Sequence, residues 1–78
     1  MYLAVAMLLT IRFDRETDGR WIASVAELSG VHVYGESRDA AARSAYALAL
    51  HMLADEVEHG ERDPLSLAPL TFAIDDAV

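Results

Sequence analysis

The chain has no cysteine and little positive charge. Without cysteine it has neither a disulfide framework nor thiolate metal ligands. Thirteen acidic residues stand against six lysines and arginines, giving a formal net charge of −7. Proteins bind a phosphate backbone through Lys and Arg side chains that displace counterions, so this balance argues against direct nucleic-acid binding. An acidic surface is instead suited to attracting a basic partner.

The chain is also short, at 78 residues. We expect a single domain, with its core at about residues 8–74 and a tail at 75–78. A chain of this length buries a modest share of its surface, and without cysteine it has no disulfide to stabilise it. We therefore expect a second copy or another protein to stabilise the fold by association. Nothing in the cysteine content indicates an oxidising compartment, and we expect a cytoplasmic protein.

No apolar run reaches the roughly 20 residues that a membrane span needs. The opening run, MYLAVAMLL, lacks the positively charged start of a signal peptide, so we interpret it as the lead into a strand. Met7 is a second candidate for the natural start, with residues 1–6 as an upstream extension. Internal repeats and low-complexity segments are absent.

The first half of the chain predicts three antiparallel strands. Apolar residues alternate with others over residues 8–14, and the Asp18-Gly19 pair that follows is a strong hairpin signal. A second strand is predicted over residues 21–25. After a turn, β-branched and aromatic residues predict a third strand over residues 31–34.

The second half predicts one helix and a last strand. Ser37 is the expected N-cap, the helix continues to about His59, and Gly60 fits the position after its end. Alternation predicts the last strand over residues 70–74. The order β-β-β-α-β, with a crossover helix, predicts an α+β fold in which one helix packs on a sheet of order 3-2-1-4.

Two apolar stripes follow the predicted helix. One has the spacing of a face packed on a core and comprises Ala41, Ala45, Leu48 and Met52. The other is rotated around the helix and comprises Tyr46, Leu50, Leu53 and Val57. This second stripe either widens the core and leaves isolated exposed side chains, or forms a partner or dimer surface. We predict an interface built from the second stripe and the uncovered sheet face, to which Trp21 and Tyr34 are assigned.

The sequence offers only weak candidates for chemistry. One helix face carries two possible metal ligands and a carboxylate, namely His51, Asp55 and His59. The first hairpin gathers three acids, Asp14, Glu16 and Asp18. Both groups are typical of solvated surfaces, and no serine lies in a nucleophile motif. We therefore predict no catalytic residue, no metal and no cofactor.

The segment from residue 18 to residue 41 reads DGRWIASVAELSGVHVYGESRDAA. It resembles the HicB antitoxin family, whose pattern joins a DGGY/W-xA-x-hPELPG hairpin to hxTxGDTxEEA at the start of a helix. The resemblance covers residues 8–60, most of the chain. Ala26 and Ser29 stand where the family usually has prolines, and Ala40 replaces an acidic residue of the first helical turn.

The resemblance implies a partial RNase H-like fold without nuclease activity and assembly into a homodimer or homotetramer. It also implies a type II toxin–antitoxin partnership with HicA, a small basic toxin that cleaves mRNA, through masking of the toxin's RNA-binding and catalytic surface. Many members of the family add a C-terminal DNA-binding module. We expect this chain to be a short form that does not bind an operator directly.

Two alternatives stay open. The first is an orphan HicB-like domain that assembles with itself and has no toxin partner. The second is a metal-dependent RNase H-like nuclease, which needs acids that converge from the first and last strands. Asp14 lies at the end of the first predicted strand and Asp75 follows the last one. Cleavage of an RNA–DNA hybrid that Asp14→Asn abolishes would be the sign of that activity.

Overall fold

A computed structural model describes residues 7–75, and the expectations about residues 1–6 and 76–78 lie outside that range. The elements follow the predicted order, with one added short 3-10 helix. They are β1 (Met7–Arg15), β2 (Trp21–Val25), β3 (His32–Gly35), α1 (Arg38–Glu58), the 3-10 helix (Pro64–Leu67) and β4 (Leu70–Asp75). Within residues 7–75, no helix combines the length and the apolar character that crossing a bilayer requires.

The four strands form one mixed sheet in the order β3-β2-β1-β4. β1 is antiparallel to β2 and parallel to β4, while β2 is antiparallel to β3. The predicted α+β arrangement and strand order are confirmed. β4 continues one residue beyond the predicted strand, because Asp75 lies opposite Arg12 and its carboxylate is 3.6 Å from the guanidinium.

The core lies between α1 and one face of the sheet. Leu9 and Ile11 of β1 are fully buried there, and burial of each such side chain is worth about 1.5–3 kcal/mol. The helix contributes small residues to this contact, namely Ala41, Ala45 and Ala49, with Leu53 beside them. The predicted core stripe is therefore confirmed, and Leu48 and Met52 complete it as half-buried side chains.

Both ends of α1 are capped as the sequence predicts. The Ser37 hydroxyl accepts a hydrogen bond from the Ala40 N–H at 3.0 Å. Gly60 has a φ of 72°, in the left-handed region that favours glycine, and its N–H donates to the Val57 carbonyl at 3.2 Å. Local capping chemistry thus fixes the length of the helix.

A glutamate side chain completes the pairing of β1 where β2 ends. The Thr10 N–H donates to Glu27 Oε1 at 2.7 Å, and the Thr10 hydroxyl donates to Oε2 at 2.8 Å. Partial burial raises the pKa of Glu27, but the two hydrogen bonds from Thr10 outweigh it and hold the pKa below its ordinary value. The ionised carboxylate therefore accepts the backbone hydrogen bond that a carbonyl of a neighbouring strand would otherwise accept.

β3 and the first turn of α1 approach each other at Gly35. A Cβ at this position would collide with the backbone nitrogen of Ala41 and lie 2.8 Å from its Cα. Both neighbours are backbone atoms, so they cannot rotate away as a flexible side chain would. Glycine at position 35 thus allows the helix to lie close to the sheet.

We expect Glu27→Gln to lower the free energy of unfolding by about 1 kcal/mol near neutral pH, because the variant loses a charged hydrogen-bond acceptor. Since folding depresses the pKa of Glu27, its contribution is present above the unfolded-state pKa and is lost as the pH falls through the folded-state pKa. Urea denaturation over a pH series measures this. Glu58→Gln, at an exposed acid of α1, is the control. A Glu27→Gln profile that parallels the wild type would contradict the assignment.

We expect Gly35→Ala to lower the free energy of unfolding by about 1–3 kcal/mol, because the added methyl group forces backbone apart. The control is Gly60→Asn, which has no atom within 4 Å of the added Cβ and retains a residue type that tolerates positive φ. Chemical denaturation compares the two. Equal stability of both variants would mean that the approach at Gly35 is not tight.

Candidate functional site

The helix is displaced toward one side of the sheet. α1 packs chiefly against β2 and β3, touches little of β1 and hardly reaches β4. On the helix side of the sheet, β4 and the adjacent part of β1 are therefore only partly covered. This offset leaves a concave surface beside the helix.

That surface is a groove of about 400 Å³ between the flank of α1 and β4. Its apolar lining includes Ala42, Tyr46, Leu50 and Ile74. The tyrosine ring stacks on Phe72 with ring centroids 3.8 Å apart, which joins the helix flank to β4. Two charged side chains also line it, Asp39 and Arg43, and they form an ion pair at 3.3 Å.

The second helix stripe divides between the core and this groove. Leu53 is only 3% exposed and belongs to the core, while Val57 is half-buried. Tyr46 and Leu50 are 44% and 41% exposed and line the groove. Widening of the core accounts for Leu53, whereas an interface role for Tyr46 and Leu50 stays a prediction.

Trp21 does not lie on the uncovered sheet face, so that assignment is wrong. It shares the helix side of β2 with Ala23 and Val25, because alternate residues of a strand point the same way. Its ring packs edge-on against Phe13, with centroids 6.3 Å apart, and the Arg15 guanidinium lies 4.8 Å from its ring centroid. The tryptophan thus closes the end of the core near the first hairpin.

The uncovered sheet face is mixed in polarity. Tyr34 lies there as predicted, 44% exposed, and its hydroxyl donates to Glu16 at 3.3 Å. The Arg20 guanidinium lies 4.5 Å from the Tyr34 ring centroid. Leu8 is 51% exposed on the same face, which also carries Thr10, Arg12, Asp14, Ser24 and His32. Most of this face is therefore compatible with water.

The weak metal candidates are occupied by local hydrogen bonds. His59 Nδ1 lies 2.7 Å from the Asp55 carbonyl oxygen, at the end of the helix, and His51 is exposed. In the hairpin, the pKa of Asp18 lies below its ordinary value. The main cause is the hydrogen bond from the Arg20 backbone N–H; slight desolvation opposes this effect, and the Arg20 guanidinium adds to it. Residues 7–75 contain no group of three His, Cys, Asp or Glu side chains that could hold a metal ion.

The two acids named for a nuclease lie at the ends of neighbouring parallel strands. Asp75 is opposite Arg12, and Asp14 follows Arg12 by two residues, so both acids lie on the uncovered face. Arg12 forms an ion pair with Asp75. The two acids that a nuclease would need thus share one face of the sheet, and a cation lies beside one of them.

Sequence reasoning missed the internal partners of the arginines. All six basic residues of the chain are arginines, and all lie within residues 7–75. Four form ion pairs with acids of the same range: Arg12 with Asp75, Arg20 with Asp18, Arg43 with Asp39, and Arg62 with Glu56. Three lie over aromatic rings: Arg15 over Trp21, Arg20 over Tyr34, and Arg38 over Phe13. Hairpin register would have paired Arg15 with Trp21, since the two flank the Asp18-Gly19 turn almost symmetrically.

Comparisons of this chain with protein-family models, with curated proteins and with solved structures gave no match.

Proposed function

We propose that this chain is a non-catalytic, antitoxin-like binding protein. In this proposal it neutralises a small basic HicA-type toxin by masking the surface with which the toxin binds and cleaves mRNA. The starting point is the resemblance of residues 18–41 to the HicB antitoxin family. The chain adopts the β-β-β-α-β order that strand alternation and helix capping predict, and this order is compatible with the fold that the resemblance implies.

The observation that carries the proposal is the engagement of every arginine within the chain. Each guanidinium lies against an acid or an aromatic ring of its own domain. Each positive charge therefore lies beside an acid or a ring of the same chain, while the acids exceed the positive charges by seven. The field that reaches an approaching protein is negative, and it favours a basic partner over a phosphate backbone.

Exposed acids are dense at the C-terminal end of α1 and in the turn that follows. They are Asp55, Glu58, Glu61 and Asp63. Like charges grouped on one side of a small domain steer a basic protein during its approach, and salt at 0.1 M screens this attraction at distances beyond about 10 Å. We propose this end of the domain as the first point of contact with the toxin.

The proposal assigns the chain no catalytic residue, metal or cofactor. It places the protein in the cytoplasm, where a toxin that cleaves mRNA acts, and gives it no direct role in binding nucleic acid. Assembly into a homodimer or homotetramer is part of the proposal, because the groove beside α1 leaves apolar side chains exposed.

A second candidate function is that of an orphan HicB-like domain that assembles only with itself. The groove favours it, since Tyr46, Leu50 and Ile74 are each more than 40% exposed around one concavity. In this version the acidic surface keeps the assemblies soluble and binds no toxin.

Co-expression with the product of the neighbouring reading frame tests the leading proposal. We expect rescue of growth and a complex whose association rate falls about tenfold between low and high salt. The double variant Glu58→Arg with Glu61→Arg should slow association by a similar factor. Glu36→Arg, the same type of substitution at the opposite end of the helix, should have a smaller effect.

Absence of both a complex and growth rescue would remove the toxin-binding proposal and favour the orphan domain. A tight complex whose association rate does not respond to salt would contradict the electrostatic basis of the proposal. Equal effects of the Glu36 variant and the Glu58–Glu61 variant would move the contact away from the end of α1.

A further inference from the structure

β4 lies at an edge of the sheet, and half of its backbone groups point away from β1. The Met7 N–H donates to the Pro69 carbonyl at 3.0 Å, which fixes the phase of the parallel ladder. In such a ladder, alternate residues direct their N–H and C=O groups to the same neighbour. Residues 71, 73 and 75 therefore face β1, while Leu70, Phe72 and Ile74 direct their backbone groups outward.

Between Leu70 and Ile74 this edge lacks the usual protection against pairing with another strand, although Pro69 precedes the strand and Asp75 ends it. Natural edge strands carry charges, prolines or bulges that prevent such pairing. From Leu70 to Ile74, β4 has neither a charged residue nor a proline. The three residues whose backbone groups point outward also have apolar side chains on the helix side of the sheet, and Ile74 is 51% exposed there.

The helix flank beside this edge is apolar as well. Tyr46 rests on Phe72, and Leu50 borders the groove next to Ile74. An extended segment added to β4 would bury its alternate side chains against this flank. The site thus offers backbone pairing and apolar contact together, which is the basis of strand addition in protein recognition.

Charge indicates which kind of strand fits. The two charged side chains of the groove, Asp39 and Arg43, pair with each other, so this face has no net charge. The chain as a whole carries −7, and two copies repel each other over their acidic surfaces. A basic partner gains nothing from charge at β4, whereas a second copy meets no repulsion there.

We propose that two copies of this chain join through antiparallel pairing of their β4 strands, about a two-fold axis at Phe72. The outward backbone groups and the helix-side side chains belong to the same three residues, which limits the register, and the longest overlap of these residues places the axis at Phe72. Phe72 then lies opposite Phe72 of the second copy, and Leu70 opposite its Ile74. The result is a continuous eight-stranded sheet with both helices on one side, a closed and self-complementary contact.

This inference names the surface for the self-assembly part of the proposed function. The exposed side chains of Tyr46 and Leu50 from each copy then flank the apolar row formed by the two β4 strands. No other strand of residues 7–75 combines an open edge with an adjoining apolar groove, since β3 has four residues and runs almost directly into α1.

Two lysine substitutions at equally exposed positions test the surface. Ile74 and Leu8 are both 51% exposed, the first beside the groove and the second on the uncovered face. By light scattering and sedimentation of the isolated full chain, we expect wild type and Leu8→Lys to have twice the 8.5 kDa chain mass. Ile74→Lys should dimerise at least tenfold more weakly, with circular dichroism confirming that both variants fold.

Cysteine pairing tests the register, since the chain has no cysteine of its own. In the proposed dimer, Thr71 lies opposite Ala73 of the second copy, with about 4.5 Å between Cα atoms, close enough for a disulfide. A mixture of Thr71→Cys and Ala73→Cys chains should form a mixed disulfide dimer. Each variant alone should remain uncrosslinked, because identical positions are offset along the strands.

A monomeric wild type at millimolar concentration would overturn the proposal. So would dissociation by Leu8→Lys with Ile74→Lys unaffected, which would place the contact on the uncovered face. Disulfide formation by Ala73→Cys alone would overturn the axis at Phe72. All of these measurements use the chain without a toxin, so their failure is distinct from a failure of toxin neutralisation, which growth rescue by Ile74→Lys measures separately.

Discussion

The close approach of α1 to the sheet is the constraint on which the rest of the structure depends. Glycine at position 35 and three alanines on the inner helix face remove the side-chain volume that would separate the two layers. The helix lies over β2 and β3, and a single helix in that position leaves β4 only partly covered. The groove beside β4 is thus a consequence of the tight packing of the helix over the opposite half of the sheet.

The sequence predicted the fold in nearly all its elements, because alternation, turn residues and helix caps are local signals. It predicted the inner helix face at Ala41 and Ala45, but it assigned Trp21 to the wrong sheet face. The phase of a strand relative to the core is set by its pairing register, and one residue of shift reverses every side chain. The sideways offset of the helix could not be predicted either, since it depends on how closely the helix backbone approaches the sheet, which no local sequence signal specifies.

The placement of the arginine side chains is the second feature that organises the molecule. Composition alone gives the excess of acids, but it says nothing about where the arginines go. In the folded chain they serve as internal partners, and Arg15, Arg20 and Arg38 cover aromatic rings with their guanidinium groups. In this small domain, arginine side chains thus cover apolar surface at the ends of a thin core. The acids then determine the electrostatic potential that an approaching protein meets.

The turn after β2 has a consequence for chain entropy. Ala26 stands where the resembled pattern has a proline, and its N–H donates to the Thr10 carbonyl at 3.1 Å. A proline ring at this position has no N–H to give, although it would restrict the unfolded chain by an amount worth about 0.4–1 kcal/mol. With alanine at 26 and the carboxylate of Glu27 next to it, both backbone groups of Thr10 are satisfied. Hydrogen bonds of the folded state thus stabilise the turn, whereas a proline would stabilise it by restricting the conformations of the unfolded chain.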